Sequence, residues 1–167
     1  MAAEQLSRLR APDEAEAATV ASWSRSVEEA RRWCSVAVHP FPADTVTGWW
    51  QAPDVVPRVL VVTEDEHPVA YGELWTDEEE DEVELARIIV DPGRRRAGIG
   101  RQLITQLVEA ARATGLADCY LRVVHDNVAA LGLYRSTGFV DVDEERTRAW
   151  NEGQPAQFVW LERPDFR

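Results

Sequence analysis

The 167-residue chain has a formal net charge of −12, with 45% hydrophobic and 29% charged residues. That balance suits one globular domain over residues 1–167 and excludes a disordered chain. The negative charge argues against nucleic acid or an anionic membrane as partner, since both need a positive footprint. No apolar run approaches membrane-spanning length. Met1-Ala2-Ala3-Glu4-Gln5 lacks a basic start followed by an apolar stretch, so no secretory signal is read there and a cytoplasmic location is expected. Cys34 and Cys119 form neither a disulfide framework nor a metal-ligand spacing, so no metal is expected.

The apolar period switches between two and 3.6 along the chain, which points to an α/β (α+β) fold. Gln5 to Arg10 reads as a short strand ended by Pro12, and Asp13 to Ala21 as a helix. Ser26-Val27-Glu28-Glu29 is a capping-box pattern that opens a helix to about Cys34. His39 to Pro57 holds four prolines and reads as irregular, with one helical turn at Thr45 to Trp50; its Trp49-Trp50 pair reads as a core anchor ahead of a ligand platform. Val59 to Thr63 and Val69 to Trp75 flank a turn cluster and form a hairpin. Asp77 to Glu82 is an acidic loop, read either as a solvated face or as a lip that draws in positively charged amines.

Val83 to Val90 is the next strand, followed by a helix over Gly100 to Thr114, a strand over Cys119 to Val124 and a helix over Asn127 to Ser136. Val140 to Val142 and Phe158 to Leu161 are the last strands, joined through a polar stretch that turns at Asn151-Glu152-Gly153. Trp150, Trp160 and the Trp49-Trp50 pair are candidates for aromatic surface buried in a homodimer.

Between the strand ending at Val90 and the helix opening at Gly100 lies Asp91-Pro92-Gly93-Arg94-Arg95-Arg96-Ala97-Gly98-Ile99-Gly100-Arg101. Two glycines let the backbone bend and approach a ligand, and the helix start offers unpaired N–H groups to an anion. A dinucleotide fingerprint would need a third small residue where Leu103 stands, and a Walker loop would need a Gly-Lys-Ser/Thr ending. Neither is present.

Arg95-Arg96-Ala97-Gly98-Ile99-Gly100 resembles the Arg/Gln-x-x-Gly-x-Gly/Ala signature of the GNAT superfamily of acyl-CoA N-acyltransferases. Asn127-Val128-Ala129-Ala130-Leu131-Gly132-Leu133-Tyr134, followed by Gly138-Phe139, resembles the same family's Asn-x-x-Ala-x-x-x-Tyr-x-x-x-Gly-Phe segment. Independently of the name, the seven-residue spacing of Asn127 and Tyr134 puts both on one helical face, with Asn127 at the N-cap. The resemblance runs from about Leu85 to Phe139. It implies a mixed, mainly antiparallel central sheet of six to seven strands flanked by about four helices.

The resemblance further implies acetyl-CoA as donor, its pyrophosphate held by backbone N–H groups over Arg95, Arg96, Ala97, Gly98, Ile99, Gly100 and Arg101, with the arginine side chains secondary. The backbone of Ile88, Ile89 and Val90 would pair with the pantetheine arm, and Asn127 and Tyr134 would complete the cofactor site. Tyr134 suits protonation of the departing thiolate, because a phenol stays protonated at neutral pH.

For the base, Glu84 lies four residues before Ile88, where histone-type members of the superfamily keep a glutamate. Glu73 is the second candidate, since Tyr71, Glu73 and Trp75 alternate onto one strand face. His125 at a strand end has a near-neutral reference pKa, or simply terminates the strand. Ribosomal-protein N-terminal acetyltransferases of the family carry a glutamate five residues before the motif asparagine; this chain has Arg122 there, so that base does not carry over.

The expected reaction is direct acetyl transfer to a primary amine. Small cationic amines such as polyamines, aminoglycosides or amino-acid derivatives come first, and a protein N-terminus or lysine second. The rival class is a non-catalytic acyl-CoA sensor or interaction module.

Overall fold

The computed structural model describes residues 6–167. The absence of a leader read on Met1–Gln5, and the Gln5 start of the first strand, lie outside that range. A seven-stranded sheet carries the order β1(Ser7–Arg10), β2(Val55–Val62), β3(Pro68–Asp77), β4(Glu82–Val90), β5(Asp118–Val124), β7(Phe158–Glu162), β6(Val140–Asp141). Every neighbouring pair is antiparallel except β4 with β5, which run parallel because a helix crosses over between them.

Among the described residues six α-helices flank the sheet: α1(Ala17–Ser22), α2(Val27–Cys34), α3(Ala43–Trp49), α4(Ile99–Arg112), α5(Val128–Ser136) and α6(Glu144–Asn151). That is more than the four expected from sequence. The surplus is α3, foreseen only as a turn, and α6, not foreseen at all.

Strand alternation divides the core in two. Leu60 and Val62 of β2 point to one face, where Leu103, Ile104, Leu107 and Ala111 of α4 and Leu131 and Tyr134 of α5 cover them. Val59 and Val61 point to the other, with Tyr71 and Ile89, under α1, α2 and α3. There the Trp49-Trp50 anchor holds. Trp49 packs on Trp33 with centroids 5.4 Å apart, and Trp50 Nε1 donates to the Tyr71 hydroxyl at 2.9 Å.

The aromatic residues near the C-terminus form a small core of their own instead of an exposed surface. Trp160 is buried, Trp150 stands edge-on to it at 5.2 Å, and Tyr120 meets Trp150 at 5.1 Å. Among the described residues no tryptophan is an exposed large apolar side chain, and Trp49, Trp50 and Trp150 are partly buried. Helix α6 closes this core. Asp143 caps it by accepting from the Arg146 amide at 2.9 Å, and Glu144 and Glu145 complement its dipole.

The helix ends on Asn151, which is buried and bridges to β7. Its amide donates to Phe158 O at 2.9 Å, while its Oδ1 accepts from Phe158 N at 3.1 Å and Trp160 Nε1 at 3.0 Å. Asn151→Ala would leave those three groups without partners in a dry setting. A loss of about 2–4 kcal/mol is expected, read as a lower urea midpoint with an unchanged m-value.

Candidate active site

The parallel pairing of β4 with β5 covers only Glu82, Val83 and Glu84 against Asp118, Cys119 and Tyr120. Beyond Glu84 the two strands part. The edge of β4 from Leu85 to Val90 that faces β5 is therefore unpaired, although its other edge stays bonded to β3. Where they part, β4 carries a bulge: Tyr71 faces Ile89 and Glu73 faces Ala86, so Arg87 and Ile88 together oppose Gly72. Arg87 adopts a positive φ of 47°. A Cβ on Gly72 would come within 2.8 Å of Leu107 Cδ1, so glycine there lets α4 pack close beneath the bulge.

The opening forms two clefts that share Arg32, Trp33, Arg87, Arg122 and Val123 as a common wall. The larger, about 630 Å³, runs from the open β4 edge to the start of α4. Ile88, Ile89, Val90, Arg95, Arg96, Gly98, Gly100, Arg101, Asn127 and Tyr134 line it together. Of the residues expected at this site, Ala97 and Ile99 do not. Ile99 turns its side chain into the core, where it is 5% exposed, and has only its amide to offer.

Gly98 caps α4 with φ 78°, a conformation that strains any residue with a Cβ. The first intrahelical bond is Gln102 N–H to Gly98 O at 3.1 Å, so the amides of Ile99, Gly100 and Arg101 precede it and lack helical acceptors. They form an anion-binding end together with the helix dipole. The arginines around it are partly engaged elsewhere. Arg95 Nη1 pairs with Glu29 at 3.3 Å, and Arg101 Nη2 donates to Ser136 Oγ at 2.9 Å.

Across the cleft, Asn127 Oδ1 accepts from the Ala130 amide at 3.4 Å and so caps α5. Two turns on, Tyr134 is 7% exposed, and its hydroxyl makes no hydrogen bond among the described residues. Burial pushes the phenol well above its ordinary pKa, so it holds its proton throughout the neutral range.

The smaller cleft, about 250 Å³, lies on the other side of the shared wall and contains Glu84. Burial raises the Glu84 carboxyl above its ordinary value, opposed by Arg122, whose Nε donates to Oε1 at 2.8 Å. Arg122 Nη1 in turn donates to Gln154 at 3.0 Å. Trp33, Trp75, Pro155 and Phe158 supply the apolar lining.

Glu73 lines neither cleft. It is 0% exposed, and its carboxylate accepts from the Tyr71 hydroxyl, from Trp75 Nε1 at 2.6 Å and from Arg87 Nη1 at 2.9 Å. So enclosed, it lies outside both clefts, whereas Glu84 lines the smaller one. Glu73 fixes Arg87 and with it the bulge, which Trp33 also grips by donating to Arg87 O at 2.7 Å.

The acidic turn Asp77 to Glu82 lines neither cleft, so it forms no lip. His125 is exposed past the end of β5 and also lines neither. Burial pushes the Cys34 thiol up to about 11 and the Cys119 thiol to about 12, so neither is a thiolate at neutral pH. Among the described residues no group of three or more His, Cys, Asp or Glu could hold a metal ion, and no helix is long and apolar enough to cross a membrane.

Sequence reasoning missed the shared wall. Nothing local in the sequence marks Arg87, which lines both clefts, as a bulge residue.

The family model described as the acetyltransferase (GNAT) family matches residues 23–139. The ribosomal protein bS18-alanine N-acetyltransferase of Escherichia coli K12 is 42% identical over 59 residues, covering 35% of this chain and 40% of that protein. The N-alpha-acetyltransferase RimI of Mycobacterium tuberculosis is 48% identical over 65 residues, 39% of each chain. The chain thus aligns with only about two fifths of the length of these curated relatives. In fold, the Vibrio cholerae spermidine N-acetyltransferase, solved with CoA and spermine, superposes with a TM-score of 0.70 at 17% identity over 93% of this chain and 92% of that one.

Removing the Glu73 carboxylate strands the Arg87 guanidinium in the bulge. Glu73→Ala is expected to cost about 3–5 kcal/mol in urea unfolding, with Glu73→Gln losing distinctly less because an amide oxygen in the place of Oε2 still accepts from Trp75 Nε1 and Arg87 Nη1. Equal stability of Glu73→Ala and wild type would contradict this role.

Proposed function

The chain belongs to the GNAT acetyltransferase family, and from that premise we propose that it transfers an acetyl group from acetyl-CoA to a primary amine by direct attack. The observation that carries this reading is one cleft holding three complementary parts: an unpaired strand edge, an anion-binding helix start and an unpartnered tyrosine hydroxyl.

In this reading the amides of residues 96–101 take the pyrophosphate, and the free edge of Ile88, Ile89 and Val90 pairs with the pantetheine amides as an added strand would. An amide of the bulged segment near Ile89 faces the thioester carbonyl and stabilises negative charge on its oxygen. The amine enters from the smaller cleft. It gives up a proton to Glu84, directly or through a water, and its lone pair attacks the carbonyl carbon. The C–S bond breaks as the carbonyl re-forms, Tyr134 gives its proton to the departing sulfur, and the surplus proton on the acylated nitrogen leaves to solvent, from which Tyr134 regains its own. The high thiol pKa of Cys34 and Cys119 favours this direct route over a cysteine-bound acyl group.

A compact acceptor is favoured by the smaller cleft, whose volume of about 250 Å³ falls just below the usual range for ligand pockets. The second reading, a protein N-terminus, draws on the local identity to the bS18-alanine enzyme. Against it, Arg122 occupies the position at which the ribosomal-protein enzymes are expected to carry a glutamate.

Tyr134→Phe is expected to lower kcat by about ten- to a thousandfold while leaving the acetyl-CoA Kd nearly unchanged, as read by CoA release and calorimetry. Unchanged turnover removes Tyr134 from the mechanism. Because burial raises the Glu84 carboxyl, the acid limb of kcat/KM should lie above the pH at which an ordinary glutamate ionises, and Glu84→Gln should abolish that limb. Tight acetyl-CoA binding without turnover of any amine would favour a sensor instead.

A further inference from the structure

The smaller cleft is built around guanidinium groups. Arg87 lines both clefts, and its guanidinium lies against Trp49 at 3.9 Å and Trp75 at 4.8 Å from the ring centroids. An arginine has five N–H donors, and the hydrogen bond made by this guanidinium among the described residues is Nη1 to Glu73 at 2.9 Å. Its nitrogens are not among the sealed, unpaired polar atoms, of which Ser24 Oγ alone is found among the described residues. Arg87 is thus stripped of most of its hydration, held flat and open along its remaining edge. That is the state in which a guanidinium gains most from a forked contact with a carboxylate.

The charges around it point the same way. Arg32 and Arg122 also line the smaller cleft, and Glu84, the carboxylate that does so, is already bound to Arg122. Glu73 lies behind Arg87, fully buried. Glu28 and Asp126 meet Arg32 from the exposed side, each at 3.4 Å.

We propose that the acceptor is an α-amino acid with an apolar side chain, its carboxylate bound by Arg87. This rests on the acetyl-transfer reading and narrows it. In such a molecule the amine and the carboxylate share one carbon, so a carboxylate held at the wall common to both clefts sets the amine beside the gap between β4 and β5, in the cleft that contains Glu84. The side chain then packs among Trp33, Trp75, Pro155 and Phe158, and about 250 Å³ limits the acceptor to a compact molecule. A peptide N-terminus has an amide where the carboxylate would be and forfeits the forked contact. A polyamine brings a second positive charge toward three guanidinium groups.

The test compares L-leucine and L-phenylalanine with their amides and decarboxylated amines, with spermidine and with an alanine-initiated peptide. CoA release from acetyl-CoA gives kcat/KM, and calorimetric titration into the CoA-loaded protein gives Kd. The free acids should lead their amides and decarboxylated amines by about ten- to a hundredfold in both readouts. Arg87→Met should erase that lead, and Arg87→Lys should keep part of it. Should Arg87→Met fail to fold, the wild-type comparison of acid with amide decides alone. The proposal is overturned if an amide, a decarboxylated amine, spermidine or the peptide equals the acids, or if no amino acid binds. Preferential binding of the acids without turnover of any amine leaves the carboxylate site standing and removes the acetyl-transfer reading.

Discussion

Everything at the site depends on the extra residue in β4. With Arg87 and Ile88 opposing the single Gly72, the strand bends as it leaves β5, and its inner edge is left without a partner strand from Leu85 to Val90. An unpaired edge inside a sheet is costly unless something pairs with it. Here the opening is kept by Glu73, Trp33 and Trp75, which hold the backbone and guanidinium of Arg87 from three directions. Glycine at position 72 matters for the same reason, because Leu107 of α4 occupies the space a side chain would need.

The opening separates two chemical environments across a shared wall. On one side lie backbone donors, aliphatic surface and a protonated phenol, suited to a long thioester with an anionic end. On the other lie aromatic rings, guanidinium groups and Glu84. The net charge of −12 therefore misdirects attention. It is carried in large part by exposed positions such as the turn from Asp77 to Glu82, which borders neither cleft.

Features that depend on neighbours in sequence were legible without coordinates. The caps at Ser26 and Asn127 and the glycine pair at the start of α4 all encode backbone conformations over a few residues, and each stands where its spacing placed it. Features that depend on register were not. Tyr71, Glu73 and Trp75 do share a face, but the role of Glu73 turns on a bulge in the next strand that brings Arg87 over it. Helix α6 was missed because Arg146 stands where a capping box would have glutamate, and because only Asn151 of its residues is buried. The same register effect pairs Arg122 with Glu84, so that two residues read separately act as one unit.

The central claim is that acetyl-CoA lies along the free edge of β4 with its phosphates on the start of α4. Amide hydrogen exchange, with and without acetyl-CoA, tests it most directly. The account predicts new protection concentrated at residues 88–90 and 96–101, with the β3-facing amides of β4 already slow in the free protein. Binding that leaves both segments unprotected, or that protects the smaller cleft alone, would contradict it.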